Sequence, residues 1–319
     1  MGGRAGCHRR VCQVTSTAPA SAFSDLFRYT PSLQVFLDSA QRAAASEAPI
    51  LVLGEPGTGR STLARGLHSI SGRTQGPLVE VDISAIPCAL FESELFGFQA
   101  GAFTGAELSV DGRVERAQGG SLLLDHVEDI PRDAQPKLLR VIAEKRFAPL
   151  GGEDRPADVR FLGIGSEDLP ERAAQGSFRQ DLFYRLEVVT LSLPPLRDRR
   201  GDIEPLVKFF LADLEERFGK NRLEVTPAAQ AWMDDYTWPG NLRELRNVLE
   251  RALITQGEGP LDPPCPDRRG GRPEPLHEME RRQILRALAY TRGHQGNAAD
   301  LLGISRKTLW EKRRRYDIP

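Results

Sequence analysis

Long apolar runs are missing from this sequence. No stretch of the 319 residues approaches the ~18–20 consecutive apolar side chains that cross a bilayer. The opening segment, residues 1–20, carries arginines but no apolar core, so no secretory leader is expected and the protein is expected to be cytoplasmic. Cysteine is scarce: Cys7, Cys12, Cys88 and Cys265 are all there is. Four scattered thiols make no disulfide framework and suit a reducing compartment. Cys7, His8 and Cys12 lie close together, but no second pair completes a metal site. Net charge is almost absent at −1, so the chain as a whole is no polyelectrolyte.

What is there is unevenly placed. From Asp267 to Pro319 the chain has 13 Lys/Arg against 7 Asp/Glu, a balance of +6, so the preceding 266 residues carry −7. A basic end on an acidic body points to nucleic acid as a partner of that end. Residues 1–24, rich in Ala, Ser, Thr and Gly, are expected to be a disordered tail. Beyond them, apolar runs at 48–54, 77–83, 120–125, 158–165 and 186–193 predict strands, with helical patterns between them at 60–70 and 134–145. That alternation predicts a parallel sheet covered on both faces, over residues 25–195. After Pro194 and Pro195 the strands stop, and helices are expected at 202–218, 227–236 and 240–255, a helical lid over 196–256. Residues 257–275 are rich in Gly, Pro and charge and read as a linker before a last helical unit, 276–319.

The first strand runs into Gly54-Glu55-Pro56-Gly57-Thr58-Gly59-Arg60-Ser61-Thr62 and then a helix. This is the spacing of a phosphate-binding loop, whose glycines let backbone N–H groups turn inward around phosphate oxygens at a helix N-terminus. Arginine stands at position 60, where lysine is expected. A planar, forked guanidinium does not fit where a compact ammonium does, so ATP binding through backbone amides is safer than hydrolysis.

Residues 92–106 read ESELFGFQAGAFTGA. The hexapeptide Gly101-Ala102-Phe103-Thr104-Gly105-Ala106 is similar to the signature loop of sigma-54-dependent transcriptional activators, the bacterial enhancer-binding proteins. Further segments match that family in order: GSFRQDLFYRLEVV (176–189), PPLRDRRGDI (194–203) and WPGNLRELRN (238–247). The resemblance covers about 22–255 and 276–318, nearly the whole chain. It implies an AAA+ P-loop NTPase core with a helical lid, followed by an all-α Fis-type helix-turn-helix. It implies ATP and Mg²⁺ as cofactors, with Ser61 and Asp125 at the metal, and a mobile loop that meets sigma-54 RNA polymerase. It further implies assembly as a dimer and a hexameric ring. Arg179 and Arg185 would reach into the neighbouring subunit's nucleotide site, and Arg243 would touch the nucleotide in its own subunit.

Three positions depart from the family pattern. His126 follows Asp125 where a glutamate should polarise water; neutral imidazole accepts a proton near pH 7 but lacks the carboxylate's charge. Glu128, two residues on, points the same way if the strand continues. Gly165-Ser166 stands in place of a Thr-Asn pair, and a serine hydroxyl cannot place an amide's donor and acceptor. With Arg60, these changes make slow or absent hydrolysis the expectation. The chain is then a weakened activator, a subunit that lends fingers and loops to a mixed ring, or a hydrolysis-dead repressor.

At the C-terminal end, residues 276–290 are expected to form one helix with Leu276, Met279, Ile284, Leu285 and Leu288 available for burial. Asn297 is expected to cap the next helix, Gly303 to end it, and Ser305 to cap the last, with Ile304 and Leu309 as a hydrophobic staple. This helix-turn-helix places Ser305, Arg306, Lys307, Thr308 and Trp310 toward bases in double-stranded DNA, and Arg313, Arg314 and Arg315 toward phosphates. Arg313 stands where the family usually has leucine. Only about 24 residues precede the ATPase region, so no receiver or ligand-sensing domain is expected, and control is expected from a separate protein or from expression level.

Overall fold

The apolar runs become one five-stranded sheet: β1 (Ile50–Gly54), β2 (Leu78–Asp82), β3 (Ser121–Asp125), β4 (Arg160–Gly165) and β5 (Val189–Leu193). The order across the sheet is β2-β3-β4-β1-β5 and every pairing is parallel. The computed structural model describes residues 26–27, 29–220, 224–256 and 260–263 in one unit, and 280–281, 283–285, 287–288, 291, 294–316 and 318 in a second. The expected tail, Cys7, His8, Cys12, Cys265, Leu276 and Met279 lie outside the described residues.

Parallel strands buried on both faces read as near-continuous apolar runs, and the side chains of β1 divide accordingly. Ile50 and Val52 join a cluster with Leu63 and Leu67 of α2 (Arg60–Ser69) and Ala40 and Ala44 of α1 (Gln34–Ala44). Leu51 and Leu53 face the other way, into a cluster with Leu138 and Val141 of α3 (Gln135–Glu144) and Leu182 of α4 (Gln180–Leu186). The first cluster runs on into the lid, through Leu206 and Phe210 of α5 (Ile203–Phe218), Met233 of α6 (Pro227–Asp235), and Leu245 and Leu249 of α7 (Asn241–Gln256). Core and lid therefore share one apolar interior, which fixes the cleft between them.

Three expectations are corrected at their edges. The last strand was expected from 186, but 186 closes α4, and β5 starts at Val189. The linker was expected from 257, yet Leu261 is fully buried and pairs with Val225, so 260–263 pack with the lid. The strand that ends at Asp125 does not continue: His126 takes a left-handed backbone (φ 59°) and a short 3-10 turn follows over Val127–Asp129. Alternation therefore does not carry Glu128 to the site His126 faces.

The second unit holds α8 (Gln295–Leu301) and α9 (Arg306–Arg315). Asn297 lies inside α8, which begins two residues earlier, so its capping role is corrected. Gly303 turns the chain at φ 67°, with the Ile304 amide donating to the Ala299 carbonyl. Ser305 accepts from the Thr308 amide and caps α9. Leu309 is buried with Ile284, Ala287, Ala298, Ala299 and Ile318, and Ile304 packs on that cluster. Among the described residues no helix is long and apolar enough to cross a membrane.

Candidate functional site

The loop between β1 and α2 opens onto a cleft of about 1100 Å³ between core and lid. Its glycines are there for conformation and approach. Gly57 sits at φ 82°, and a Cβ on it would meet the Gly240 carbonyl of the lid at 2.4 Å. Gly54 and Gly59 also have positive φ, at 149° and 108°. The lid closes on the loop directly. The Leu242 amide donates to the Gly57 carbonyl, and Arg197 makes a two-pronged ion pair with Glu55 at 2.7 and 2.8 Å. Asn241, in a left-handed backbone (φ 51°), donates to Glu55 and to the Pro56 carbonyl. The Arg197 guanidinium holds the Glu55 carboxyl below its ordinary range.

The apolar lining of the cleft is Leu26, Tyr29, Phe209, Phe210 and Leu242, with the Tyr29 and Phe209 rings 5.3 Å apart. Its polar lining includes Arg60, Ser61, Thr62, Asp125, His126, Arg243 and Arg246. Ser61 donates to the Asp125 carboxylate at 3.2 Å, which places two hard oxygens side by side. Among the described residues no cluster of three metal-ligating side chains exists. Two protein oxygens suit Mg²⁺ held largely by phosphates and water. The loop geometry and this oxygen pair fit a magnesium nucleotide.

Arg60 lines the cleft, but its Nη1 is engaged with backbone. Its guanidinium is buried and donates through Nη1 to the Gly54 carbonyl at 2.7 Å and to the Gly165 carbonyl at 2.6 Å, bridging β1 and β4. Ser166, next in chain, bonds with the Asp168 carboxylate, which holds that carboxyl below its usual range together with Arg172. The Ser166 amide donates to Glu128. His126 Nδ1 lies 3.2 Å from an Asp82 oxygen and 3.6 Å from Asp125. Asp82, at the end of β2, carried no sequence signal of its own.

Other predicted residues stand apart. Arg179 is exposed and forked onto Asp181 at 2.7 and 3.0 Å, and Arg185 is exposed with Nη2 3.3 Å from the Ala143 carbonyl. The loop Gly101–Ala106 projects beyond the short antiparallel pair 97–98 and 110–111. Ala106 is buried, its carbonyl accepts from the Gly101 amide, and Phe103 is 48% exposed while leaning on Phe98, ring centroids 4.9 Å apart. Arg199 was missed by sequence reasoning. It is buried, donates to the Thr58 carbonyl at 3.0 Å, and burial pushes its guanidinium down to about 10. In the second unit Lys307, Trp310 and Arg314 are exposed, and Arg313 is half-buried.

The chain matches three described families in series: the sigma-54 interaction domain over 26–192, the AAA+ ATPase lid domain over 197–264, and the Fis family of bacterial regulatory proteins over 275–316. The transcriptional regulatory protein ZraR of Klebsiella oxytoca is 41% identical over 318 residues, covering 96% of this chain and 72% of that protein. The sigma54-dependent transcriptional activator SfnR of Pseudomonas putida is 45% identical over 243 residues, 76% of this chain and 65% of its own length. Among solved structures, NtrX from Brucella abortus in complex with ATP superposes with a TM-score of 0.68 at 31% identity, covering 90% of this chain and 68% of that one.

Proposed function

This chain belongs to the sigma-54-dependent transcriptional activators, with a sigma-54 interaction domain, an AAA+ lid and a DNA-binding Fis-type end, and on that premise we propose that it is an ATP-holding ring subunit whose own turnover is slow. The observation that carries the reading is the placement of Arg60. Its Nη1 donates to two backbone carbonyls, Gly54 and Gly165, which takes that nitrogen away from phosphate oxygens. Binding elements remain: the amides of Gly54 to Thr62, the Ser61–Asp125 oxygen pair for Mg²⁺, Arg243, and the Tyr29 and Phe209 rings at the base end. Magnesium would neutralise phosphate charge when bound. The groups that would orient water are changed to His126 and Ser166.

In this reading the Phe103–Thr104 tip engages sigma-54 RNA polymerase, α9 holds an upstream DNA site as part of a dimer, and subunits close into a ring in the cytoplasm. A second reading is favoured by Arg179 and Arg185. Both are exposed and neither lies in the cleft of its own chain, so the subunit can lend fingers to a competent homologue in a mixed ring. Steady-state phosphate release tests both. The purified protein alone is expected to turn over slowly, and addition of a competent relative to raise the rate above the sum of the two. Fast release by the protein alone overturns the slow-turnover reading, and strict additivity overturns the mixed ring.

A further inference from the structure

On α9 an exposed aromatic sits in a ring of cations. Trp310 is 55% exposed, while its neighbour Leu309 is buried in the small core, so the two sides of the helix are fixed. The positions three and four residues either side of Trp310 share its face of a helix. All four are cationic: Arg306, Lys307, Arg313 and Arg314. They do not behave alike. Arg306 lies back over Gly296 of α8, close enough that a Cβ there would meet its guanidinium at 2.7 Å. Arg313 has a buried Nε with no partner. Arg306, Lys307 and Arg314 are all exposed, and the Arg314 guanidinium sits 5.7 Å from the centre of the indole ring. The helix itself is held from behind, since Glu280 bonds both Lys312 and the Tyr316 hydroxyl.

An exposed indole on a basic helix needs a surface that is apolar yet surrounded by phosphates. In the major groove the thymine 5-methyl is the apolar feature among base-edge donors and acceptors. The exposed flanking cations are free to meet phosphates, which position the helix without reading sequence. We infer that Trp310 is a specificity-determining residue that reads a thymine methyl group at the centre of the α9 footprint. The inference rests on the DNA-binding reading of α9 and adds the base feature recognised. Arg314, stacked against the indole, limits the orientations the ring can take and so acts as its positioning residue.

The test uses the full chain and duplexes it selects from a random-sequence pool. Each thymine of the selected site is replaced in turn by deoxyuridine, which deletes only the methyl. The wild type is expected to lose about fourfold in affinity at one thymine per half-site, the value of one buried methyl group. Trp310→Ala is expected to lose that sensitivity and the thymine preference there, while its salt dependence on non-specific DNA is unchanged. Trp310→Leu, which keeps an apolar side chain, is expected to retain part of the sensitivity. Tolerance of deoxyuridine at every position, or equal sensitivity in Trp310→Ala, overturns the inference alone. Failure to retain any duplex overturns the DNA-binding reading and the inference with it.

Discussion

At the scale of single residues, two side chains, Arg60 and Glu55, set the state of the cleft through their hydrogen bonds. Arg60 reaches a carbonyl on β1 and one on β4 with a single nitrogen, Nη1, at the end of a side chain longer than lysine's. The shorter, compact ammonium is expected to leave these carbonyls, so Arg60→Lys is expected to free the cation for phosphate and raise steady-state phosphate release. The gain should stay well short of the ~10²–10⁴-fold value of a full catalytic group, because His126 and Ser166 remain. An unchanged or lower rate at equal ATP occupancy contradicts this. Glu55 gives a pH prediction. Its carboxyl is held below the ordinary value by Arg197, so the clamp is intact above that value, weakens as pH falls below it, and is gone below the depressed value. Glu55→Gln should therefore flatten the acid limb of a Tm-versus-pH curve relative to wild type; parallel curves would contradict it. Much of the loop was legible, since Gly54, Gly57 and Gly59 at that spacing after a strand leave few alternatives. The direction of Arg60 was not, because the Gly165 carbonyl that captures it comes from 105 residues away.

Elements behave as their local chemistry directs, with exceptions where tertiary packing overrides it. Helix α9 was readable from Ser305 and Gly303 because cap and turn signals are local. The end of β3 was not: His126 turns the chain at positive φ, as Trp238 and Asn241 do in the lid, and although His and Asn are the residue types that tolerate this better, most of them do not adopt it. Trp238 holds the lid together, fully buried, with its indole N–H donating to the Met233 carbonyl and its ring against Trp232 and Tyr236. Trp238→Ala is expected to cost about 3–5 kcal/mol of stability, measured by denaturant unfolding; a loss under 1 kcal/mol would contradict the packing described. The signature loop is held more lightly. Phe98→Ala removes the ring on which Phe103 leans, an interaction of about 0.5–1.5 kcal/mol. Amide exchange over Gly101–Ala106 is expected to quicken roughly two- to tenfold, with exchange in β1 unaffected. No change at the tip would mean that the aromatic pair does not restrain it.

For the whole molecule, we propose that the parts that meet other molecules are kept while the parts that cleave ATP are altered. The hexapeptide loop and the exposed arginines match the family motifs, the basic end does so except at Arg313, and the other changes are at Arg60, His126 and Ser166. Such a division suits a subunit that holds nucleotide to keep a shape and contributes to remodelling through its neighbours. Pulse-chase partitioning of bound nucleotide tests this most directly: the protein is loaded with labelled Mg-ATP, excess unlabelled ATP is added, and the label that leaves is identified. The account predicts that most of it departs as intact ATP. Departure chiefly as ADP and phosphate, faster than ATP dissociates, would contradict it.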